Sequence, residues 1–281
     1  MKKLLSVLAI TSVLSAACFV MPVHAATTQP YVESDTTINF TLARGKTYAY
    51  KMTVHGTHAN PQIVAGNGNV LRTESVKHTT SNGNDVYYFK IRAIGKQGQA
   101  TGVYTTLPNQ KSVRHSDVAI PYNAGVYKVG TDIPAGSYTL TAGDYSGYYE
   151  VKSKNTTGLD DVLFNQSFDA REYVTVSDGQ YLALNDATMI STSNAGKLLP
   201  FNGYYKPSTF KVGFDIPAGT YNIKPVVDDY GTKYSVYMAV RNQENPTYDS
   251  ELYSDDFGST RQYTFKDGEY VQIENGLLSK A

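Results

Sequence analysis

The chain has 281 residues, and its 25 Lys and Arg residues balance its 25 Asp and Glu residues. This length allows two or three small domains. Because the Lys and Arg residues form no cluster of the size that binds nucleic acid, the sequence argues against a nucleic-acid-binding protein. The 24 Tyr and 23 Gly residues, together with the lack of long helical periodicity, predict an all-β fold with many turns.

The N-terminus has the pattern of a secretory leader. Lys2 and Lys3 precede an apolar stretch over residues 4–21, and Ala25 follows Val23 with one residue between them. This order of a basic start, an apolar segment and small residues is typical of a signal peptide that is cleaved after residue 25. We therefore expect an exported protein, secreted or loosely associated with the cell wall.

Two other interpretations of this leader stay open. The apolar stretch could be retained as a membrane anchor, or Cys18 could carry a lipid, although the residues before it match a lipobox only in part. Cys18 is the only cysteine, so cleavage of residues 1–25 would leave a chain without thiols or disulfides. After cleavage we expect no membrane span, and packing alone would hold each domain together.

Residues 31–120 are predicted to form a β-sandwich. Runs of alternating apolar residues such as Thr47–Val54 and Val86–Ile94 are separated by turn segments at Gly66–Asn69 and Asn82–Asp85. Short strands about ten residues apart are typical of sandwich folds. The order of these motifs resembles Ig-like modules in exported proteins of Gram-positive bacteria. The resemblance implies an Ig-like fold and a surface location, but no ligand-binding residues.

A segment of twelve residues occurs twice in the C-terminal part. Tyr127–Tyr138 returns as Phe210–Tyr221, with the shared pattern Val-Gly-x-Asp-Ile-Pro-Ala-Gly-x-Tyr. Each copy predicts a strand, a turn containing Pro and Gly, and a second strand. We predict two homologous, small antiparallel β-modules that pack on each other: a first repeat over residues 125–196 and a second repeat over residues 203–278.

The two repeats differ in length. Tyr127 and Phe210 are 83 positions apart, whereas Gly179 and Gly268 are 89 apart, so the second repeat has six more residues between these points. The loop-like composition of 242–248 predicts that the extra residues lie there. The Asp-Gly pairs that end at Gly179 and Gly268 predict two-residue hairpins of type I′. The repeat resembles a short β-module found in tandem in secreted Gram-positive proteins, and the resemblance does not imply a ligand.

Asp132 and Asp215 occupy the same position in the two copies of the motif. They could be metal-binding or catalytic carboxylates, but Asp at this place in a turn usually accepts backbone N–H groups. One carboxylate per repeat is also too few for Ca²⁺. We expect turn formers and no metal site.

The remaining titratable residues give no catalytic pattern. The histidines of the N-terminal part would need three or four converging ligands to hold Zn²⁺, and surface histidines are the simpler interpretation. No Gly-x-Ser-x-Gly motif is present, and the acidic pairs lie in turn-rich segments. We predict a protein without enzymatic activity or cofactor. The histidines concerned are His55, His58, His78 and His115.

Clustered tyrosines provide the candidate binding site. Tyr145, Tyr148 and Tyr149 follow the opening hairpin of the first repeat, and Tyr230, Tyr234 and Tyr237 follow that of the second. Of these, Tyr145, Tyr148 and Tyr230 are predicted to form exposed patches. Alternatively, these tyrosines only cover the two faces of a strand. We predict an envelope-associated binding or adhesion protein whose partner is a cell-wall polymer, a glycan or a surface protein. The alternative is a hydrolase or accessory protein of cell-wall or glycan processing.

Overall fold

The computed structural model describes residues 29–281, so the predicted leader and Cys18 lie outside the described residues. Within 29–281, no helix is long and apolar enough to cross a membrane. The part before the repeats consists of eight strands. These are β1 (Tyr31–Ser34), β2 (Phe40–Thr41), β3 (Thr47–His55), β4 (Gln62–Ala65), β5 (Leu71–Ser81), β6 (Asn84–Ala93), β7 (Ala100–Thr106) and β8 (Val113–Ala119).

These eight strands form two four-stranded sheets, in the orders β1-β3-β6-β5 and β2-β8-β7-β4. Every second residue of β3 from Tyr50 to Val54 is buried, and Phe89 and Ile91 of β6 join them in one apolar cluster. This period of two lets each strand turn one face to the core and the other to solvent. Only the short β2 runs parallel to its neighbour, β8.

The first repeat contains seven strands in two sheets, ordered β13-β10-β15 and β12-β11-β14-β9. A short 3-10 helix, Leu159–Asp161, precedes β12, and another, Thr192–Asn194, follows β15. The strands are β9 (Gly125–Lys128), β10 (Gly136–Ala142), β11 (Gly147–Lys152), β12 (Val162–Phe168), β13 (Arg171–Val176), β14 (Tyr181–Asn185) and β15 (Ala187–Ser191).

The second repeat has the same plan, with sheets ordered β20-β17-β22 and β16-β21-β18-β19. Its 3-10 helix, Tyr248–Ser250, precedes β19 as Leu159–Asp161 precedes β12. The strands are β16 (Ser208–Lys211), β17 (Gly219–Pro225), β18 (Val236–Arg241), β19 (Glu251–Phe257), β20 (Arg261–Phe265), β21 (Tyr270–Glu274) and β22 (Gly276–Lys280). The predicted all-β fold is confirmed, and each repeat encloses its own apolar cluster.

The predicted type I′ hairpins at the Asp-Gly pairs are wrong. The strands on either side of Gly179, β13 and β14, belong to different sheets, so the turn crosses the sandwich. Of Asp178 and Gly179, only Gly179 has a positive φ, +86°. A type I′ turn needs positive φ at both central residues, as Asn82 (+50°) and Gly83 (+77°) show between the paired strands β5 and β6.

The predicted position of the six extra residues is also wrong. They lie between β17 and β18, where residues 226–235 replace the short connection 143–146 of the first repeat. The connection 242–247, which follows β18, has the same length as its counterpart 153–158. Loop-like composition was a poor guide because both repeats have a polar connection at that point.

The two repeats pack on each other through polar side chains. The outward face of the three-stranded sheet of the first repeat contacts the outward face of the four-stranded sheet of the second. At the centre lies Asp215, whose Oδ1 accepts hydrogen bonds from Arg171 Nη1 (2.5 Å) and Leu198 N (3.2 Å). Its Oδ2 accepts from the hydroxyl of Tyr173 (2.5 Å) and from Lys211 N (2.9 Å). Four donors therefore satisfy a carboxylate that is only 3% exposed.

A second buried carboxylate lies beside the first. Glu172 accepts a hydrogen bond from Arg241 Nη2 (2.8 Å) and another from the hydroxyl of Thr209 (2.8 Å). The rings of Tyr173 and Tyr270 meet edge to face, with their centroids 5.5 Å apart. Within residues 29–281, only the Nε atoms of Arg171 and Arg241 in this group are buried without a hydrogen-bond partner. Paired buried charges fix one orientation of two surfaces, since a shift would leave a charge unpaired.

We predict that Asp215→Ala and Asp132→Ala differ strongly in their effect. Both substitutions remove the bond to the backbone of the turn, but only Asp215 also receives Arg171 and Tyr173. Asp215→Ala should lower the free energy of unfolding by about 3–5 kcal/mol because Arg171, whose side chain is 13% exposed, loses its carboxylate partner. Asp132→Ala should cost about 1 kcal/mol. Urea unfolding measures both, and equal losses would contradict the role given to Asp215.

The interface should also weaken in acid through Glu244. Burial raises the pKa of Glu244, but hydrogen bonds from Thr175 and Tyr270 outweigh this effect, so its pKa lies below the ordinary value of 4.5. A carboxyl group with a lowered pKa stabilises the fold above the unfolded value and loses this contribution as pH falls through the folded value. The stability difference between wild type and Glu244→Gln should therefore be largest above pH 4.5 and shrink below it. Urea titrations at a series of pH values test this, and a constant difference would refute it.

Candidate binding cleft between the repeats

A polar cleft of about 930 Å³ opens beside the interface of the two repeats. It lies on the part of the outward face of the second repeat that the first repeat leaves uncovered. Strand β12 of the first repeat forms one wall, and the segment before β19 forms the other. The lining residues are Asn165, Gln166, Ser167, Tyr237, Ala239, Arg241, Pro246, Thr247, Tyr248, Asp249, Ser250, Glu251, Gln272 and Glu274.

The floor of the cleft comes from the central strands β18 and β21. In both strands the alternate residues are apolar and point into the core of the second repeat, as Met238 and Ile273 do. Their neighbours Tyr237, Gln272 and Glu274 therefore face the cleft. The side-chain amide of Gln272 donates to Glu274 Oε1 at 2.7 Å, which orders both groups.

An exposed tyrosine stands on one wall. Tyr248 begins the 3-10 helix before β19, and its side chain is 99% exposed. Two hydrogen bonds stabilise this helix. The buried Ser250 hydroxyl donates to Thr247 O at 2.6 Å, and Asn242 N donates to Ser250 O at 2.9 Å. A rigid backbone thus presents an aromatic ring to solvent at the rim of the cleft.

The deepest part of the cleft connects it to the interface. Arg241, only 3% exposed, donates to Gln166 Oε1 at 3.1 Å and to Glu172 at 2.8 Å. Its charge is matched by that of Glu172. Docking of the first repeat therefore fixes one wall and the floor relative to each other.

The groups of the cleft that face solvent carry negative charge. Asp249, Glu251 and Glu274 line it, whereas its one lining cation is the paired Arg241. Burial, followed by nearby carboxylates including Glu251 and Glu274, raises the pKa of the Tyr237 hydroxyl. The Tyr237 hydroxyl therefore stays protonated at physiological pH and can donate a hydrogen bond.

The three predicted binding tyrosines lie at separate places, and none of them lines the cleft. Tyr145 and Tyr230 are 82% and 96% exposed, in the β10–β11 and β17–β18 connections. Tyr148 lies on the outward face of β11, and its hydroxyl donates to Glu150 at 2.8 Å. Burial, with this carboxylate, raises the pKa of Tyr148 to about 12. No ring contact joins the three within residues 29–281, and their role in binding stays a prediction.

Sequence reasoning missed most of the cleft. Gly147 pairs with Phe168 and Val236 with Phe257, so Tyr237 is the counterpart of Tyr148 in the second repeat. Tyr237 belongs to the tyrosine cluster that follows the second opening hairpin, but it was not among the three tyrosines predicted to bind. Nothing in the local sequence indicated that Tyr248, in a turn-rich segment, would stand opposite strand β12 of the other repeat.

The structure confirms that both motif aspartates form turns. Asp132 Oδ2 accepts from Lys128 N at 2.8 Å, just as Asp215 accepts from Lys211 N. The second use of Asp215, as the centre of the interface, was not predicted. Its motif is the same as that of Asp132, and only the neighbouring repeat distinguishes the two.

The histidines lie on the N-terminal sandwich. His58 and His78 both contact the carboxylate of Asp85, at 2.8 and 2.7 Å, and His55 contacts Glu33. Hydrogen bonds from the two histidines lower the pKa of Asp85. In the part of the chain that the structure describes, no three His, Cys, Asp or Glu side chains are grouped so that they could hold a metal ion.

Comparison with known proteins gives few matches. No protein-family model matches the chain, and no curated protein matches it. One similar solved structure is SGBP-B of the Bacteroides ovatus mixed-linkage glucan utilization locus, in complex with a mixed-linkage heptasaccharide. It has 11% identity and a TM-score of 0.19, and the match covers 85% of this chain and 71% of that chain. Another is InvD of Yersinia pseudotuberculosis, with 13% identity, a TM-score of 0.23 and coverage of 91% and 86%. Similarity at this level does not extend to function.

Proposed function

We propose that this chain is an exported, non-catalytic protein that binds a glycan of a cell surface in the cleft between its repeats. The observation that carries the proposal is the cleft itself, which combines an exposed aromatic ring with fixed hydrogen-bonding side chains. Its volume of about 930 Å³ is large for a small-molecule site and gives room for several sugar rings.

The lining suits the two kinds of surface that a sugar presents. The apolar face of a sugar ring packs on an aromatic ring such as Tyr248 at the rim. Its hydroxyl groups both donate and accept hydrogen bonds, so they match the amides of Asn165 and Gln272 and the carboxylate of Glu274. Because these groups lie on sheet strands or beside the 3-10 helix, binding requires little ordering of the protein.

The charge of the cleft narrows the ligand class. Asp249, Glu251 and Glu274 would repel a polyanion such as a polyuronate or a phosphodiester polymer. A neutral glycan meets no such barrier, and an amine-bearing glycan is attracted. We therefore assign the cleft to neutral or amine-bearing polysaccharides.

The alternative function, hydrolysis of glycans, is favoured by one observation. Glu251 and Glu274 both line the cleft, and glycosidases use two carboxylates on either side of the scissile bond. Incubation of the protein with an oligosaccharide separates the two functions, because a hydrolase would shorten the oligosaccharide and a binding protein would not. If wild type releases reducing ends from the oligosaccharide and Glu274→Gln does not, the protein is a hydrolase and the proposed non-catalytic function is wrong.

We expect Tyr248→Ala with Gln272→Ala to weaken glycan binding by about tenfold or more, because the variant loses both the aromatic ring at the rim and a hydrogen-bonding amide of the floor. Binding would be measured by calorimetry with neutral N-acetylated chitooligosaccharides and by pull-down with purified cell walls. The matched control is Tyr145→Ser with Tyr148→Ser and Tyr230→Ser, which changes three tyrosines outside the cleft.

The two variants distinguish two sites. If the triple variant loses binding and the cleft variant keeps it, the predicted tyrosine patches are the site and the cleft is not. If wild type binds no glycan or cell wall at all, the proposed function is wrong.

A further inference from the structure

In the second repeat, the four-stranded sheet binds a strand of the neighbouring repeat on its outward face. The outward face of its four-stranded sheet receives β13 of the first repeat. Asp215 of the face binds Arg171 and Tyr173, which lie two positions apart on that strand. Beside Asp215, the ring of Tyr270 packs against Tyr173 and has Lys211 Nζ 5.3 Å from its centroid.

The first repeat has the same face. Asp132 lies at the position of Asp215, and its Oδ2 accepts from Lys128 N at 2.8 Å. Lys128 Nζ lies 6.0 Å from the centroid of the Tyr181 ring, as Lys211 lies beside Tyr270. Strand pairing confirms the equivalence, because Lys128 is opposite Tyr181 as Lys211 is opposite Tyr270.

This face is uncovered in the first repeat. Val126, the counterpart of the buried Thr209, is 54% exposed. Asp132 is exposed, whereas Asp215 is buried. Within residues 29–281, no Lys or Arg side chain forms an ion pair with Asp132. A carboxylate that is already oriented by its turn thus has acceptor capacity directed at solvent.

The two faces differ in one half. Arg241, which binds Glu172 in the second repeat, is replaced by Lys152, and Lys152 is paired with Glu150 of its own strand at 2.5 Å. Glu244 is replaced by Asn155. The half that binds Arg and Tyr is therefore kept, and the half that binds Glu172 and Thr175 is not.

We infer that the outward face around Asp132, Lys128 and Tyr181 is a docking site for a strand of another β-module protein. The strand carries Arg and Tyr two positions apart on its exposed side, as β13 does. The Arg pairs with Asp132, and the Tyr packs on Tyr181 and donates to the same carboxylate. Charge complementarity and the occupied copy in the same chain together define this partner.

The partner is not a second copy of this chain. In another copy, the strand that would meet Asp132 is β20, which is the counterpart of β13 in the second repeat. The strand pairings align the two strands, because Gly219 pairs with Phe265 as Gly136 pairs with Val176. Thr260 and Gln262 therefore stand where Arg171 and Tyr173 stand in the first repeat. The Arg and the Tyr that β20 does carry, Arg261 and Tyr263, both donate to Asp255 of their own repeat. At its outward positions β20 therefore offers neither the ion pair nor the ring contact, and it does not dock on Asp132 of another copy.

This difference allows a direct test with the full chain. A donor variant combines Thr260→Arg and Gln262→Tyr, which give β20 the docking residues, with Asp132→Asn, which blocks its own face. Thr260, directly before β20, and Gln262, on β20, are both exposed, so we expect the donor to fold. Mixed with wild type, the donor should form a 1:1 complex, seen as a twofold increase in mass by light scattering.

The acceptor is then varied. Asn keeps an oxygen for the N–H of Lys128, so Asp132→Asn preserves the turn and removes only the charge. The Asp132→Asn acceptor should bind the donor about thirtyfold more weakly than wild type does, or not at all. The Arg introduced by Thr260→Arg in the donor would have no carboxylate to pair with. Asp160→Asn, on the exposed 3-10 helix of the same repeat, is the matched control and should bind like wild type.

Two results would overturn the inference. Either the folded donor, checked by circular dichroism, forms no complex with wild type, or Asp132→Asn and Asp160→Asn bind it equally. Glycan binding by the donor is measured in parallel. The experiment can thus contradict the docking inference while glycan binding in the cleft is confirmed, or contradict glycan binding while docking is confirmed.

Discussion

The structure of the repeats depends on two carboxylates that are buried between them. Asp215 and Glu172 are each satisfied by donors from the opposite repeat, so neither repeat can move without leaving a charge unpaired in a water-poor interface. A purely apolar contact would tolerate sliding, because burial of apolar surface is not directional. The polar contact gives the two modules one relative orientation.

That orientation creates the cleft. Strand β12 of the first repeat and the 3-10 helix of the second stand on opposite sides of the floor only because β13 is docked at Asp215. Arg241 is part of both the interface and the cleft, since it binds Glu172 in the interface and Gln166 in the wall of the cleft. Side-chain contacts between the repeats thus hold the cleft, and no disulfide crosses the described part of the chain.

The two repeats show that the same turn motif can lie in two different surroundings. Asp132 and Asp215 hold the same turn, yet one faces solvent and the other a neighbour. Gln262 and Thr260 of the second repeat stand in place of Tyr173 and Arg171, so they cannot form the ion pair and the ring contact that these two residues form. Divergence of a few outward-facing residues therefore decides which faces are joined, while the inward-facing apolar residues keep the fold.

The sequence by itself determined the all-β class, the two repeats and the turn role of their aspartates. These follow from short-range patterns: alternation with a period of two, and Pro, Gly and Asp at turn positions. It misplaced the six extra residues and treated Gly179 as part of a hairpin, because composition does not show which sheet the next strand joins. Only the tertiary structure decided that Asp215 is buried and that Tyr237 and Tyr248 share a cleft. These properties come from contacts between residues far apart in the chain, which no local pattern records.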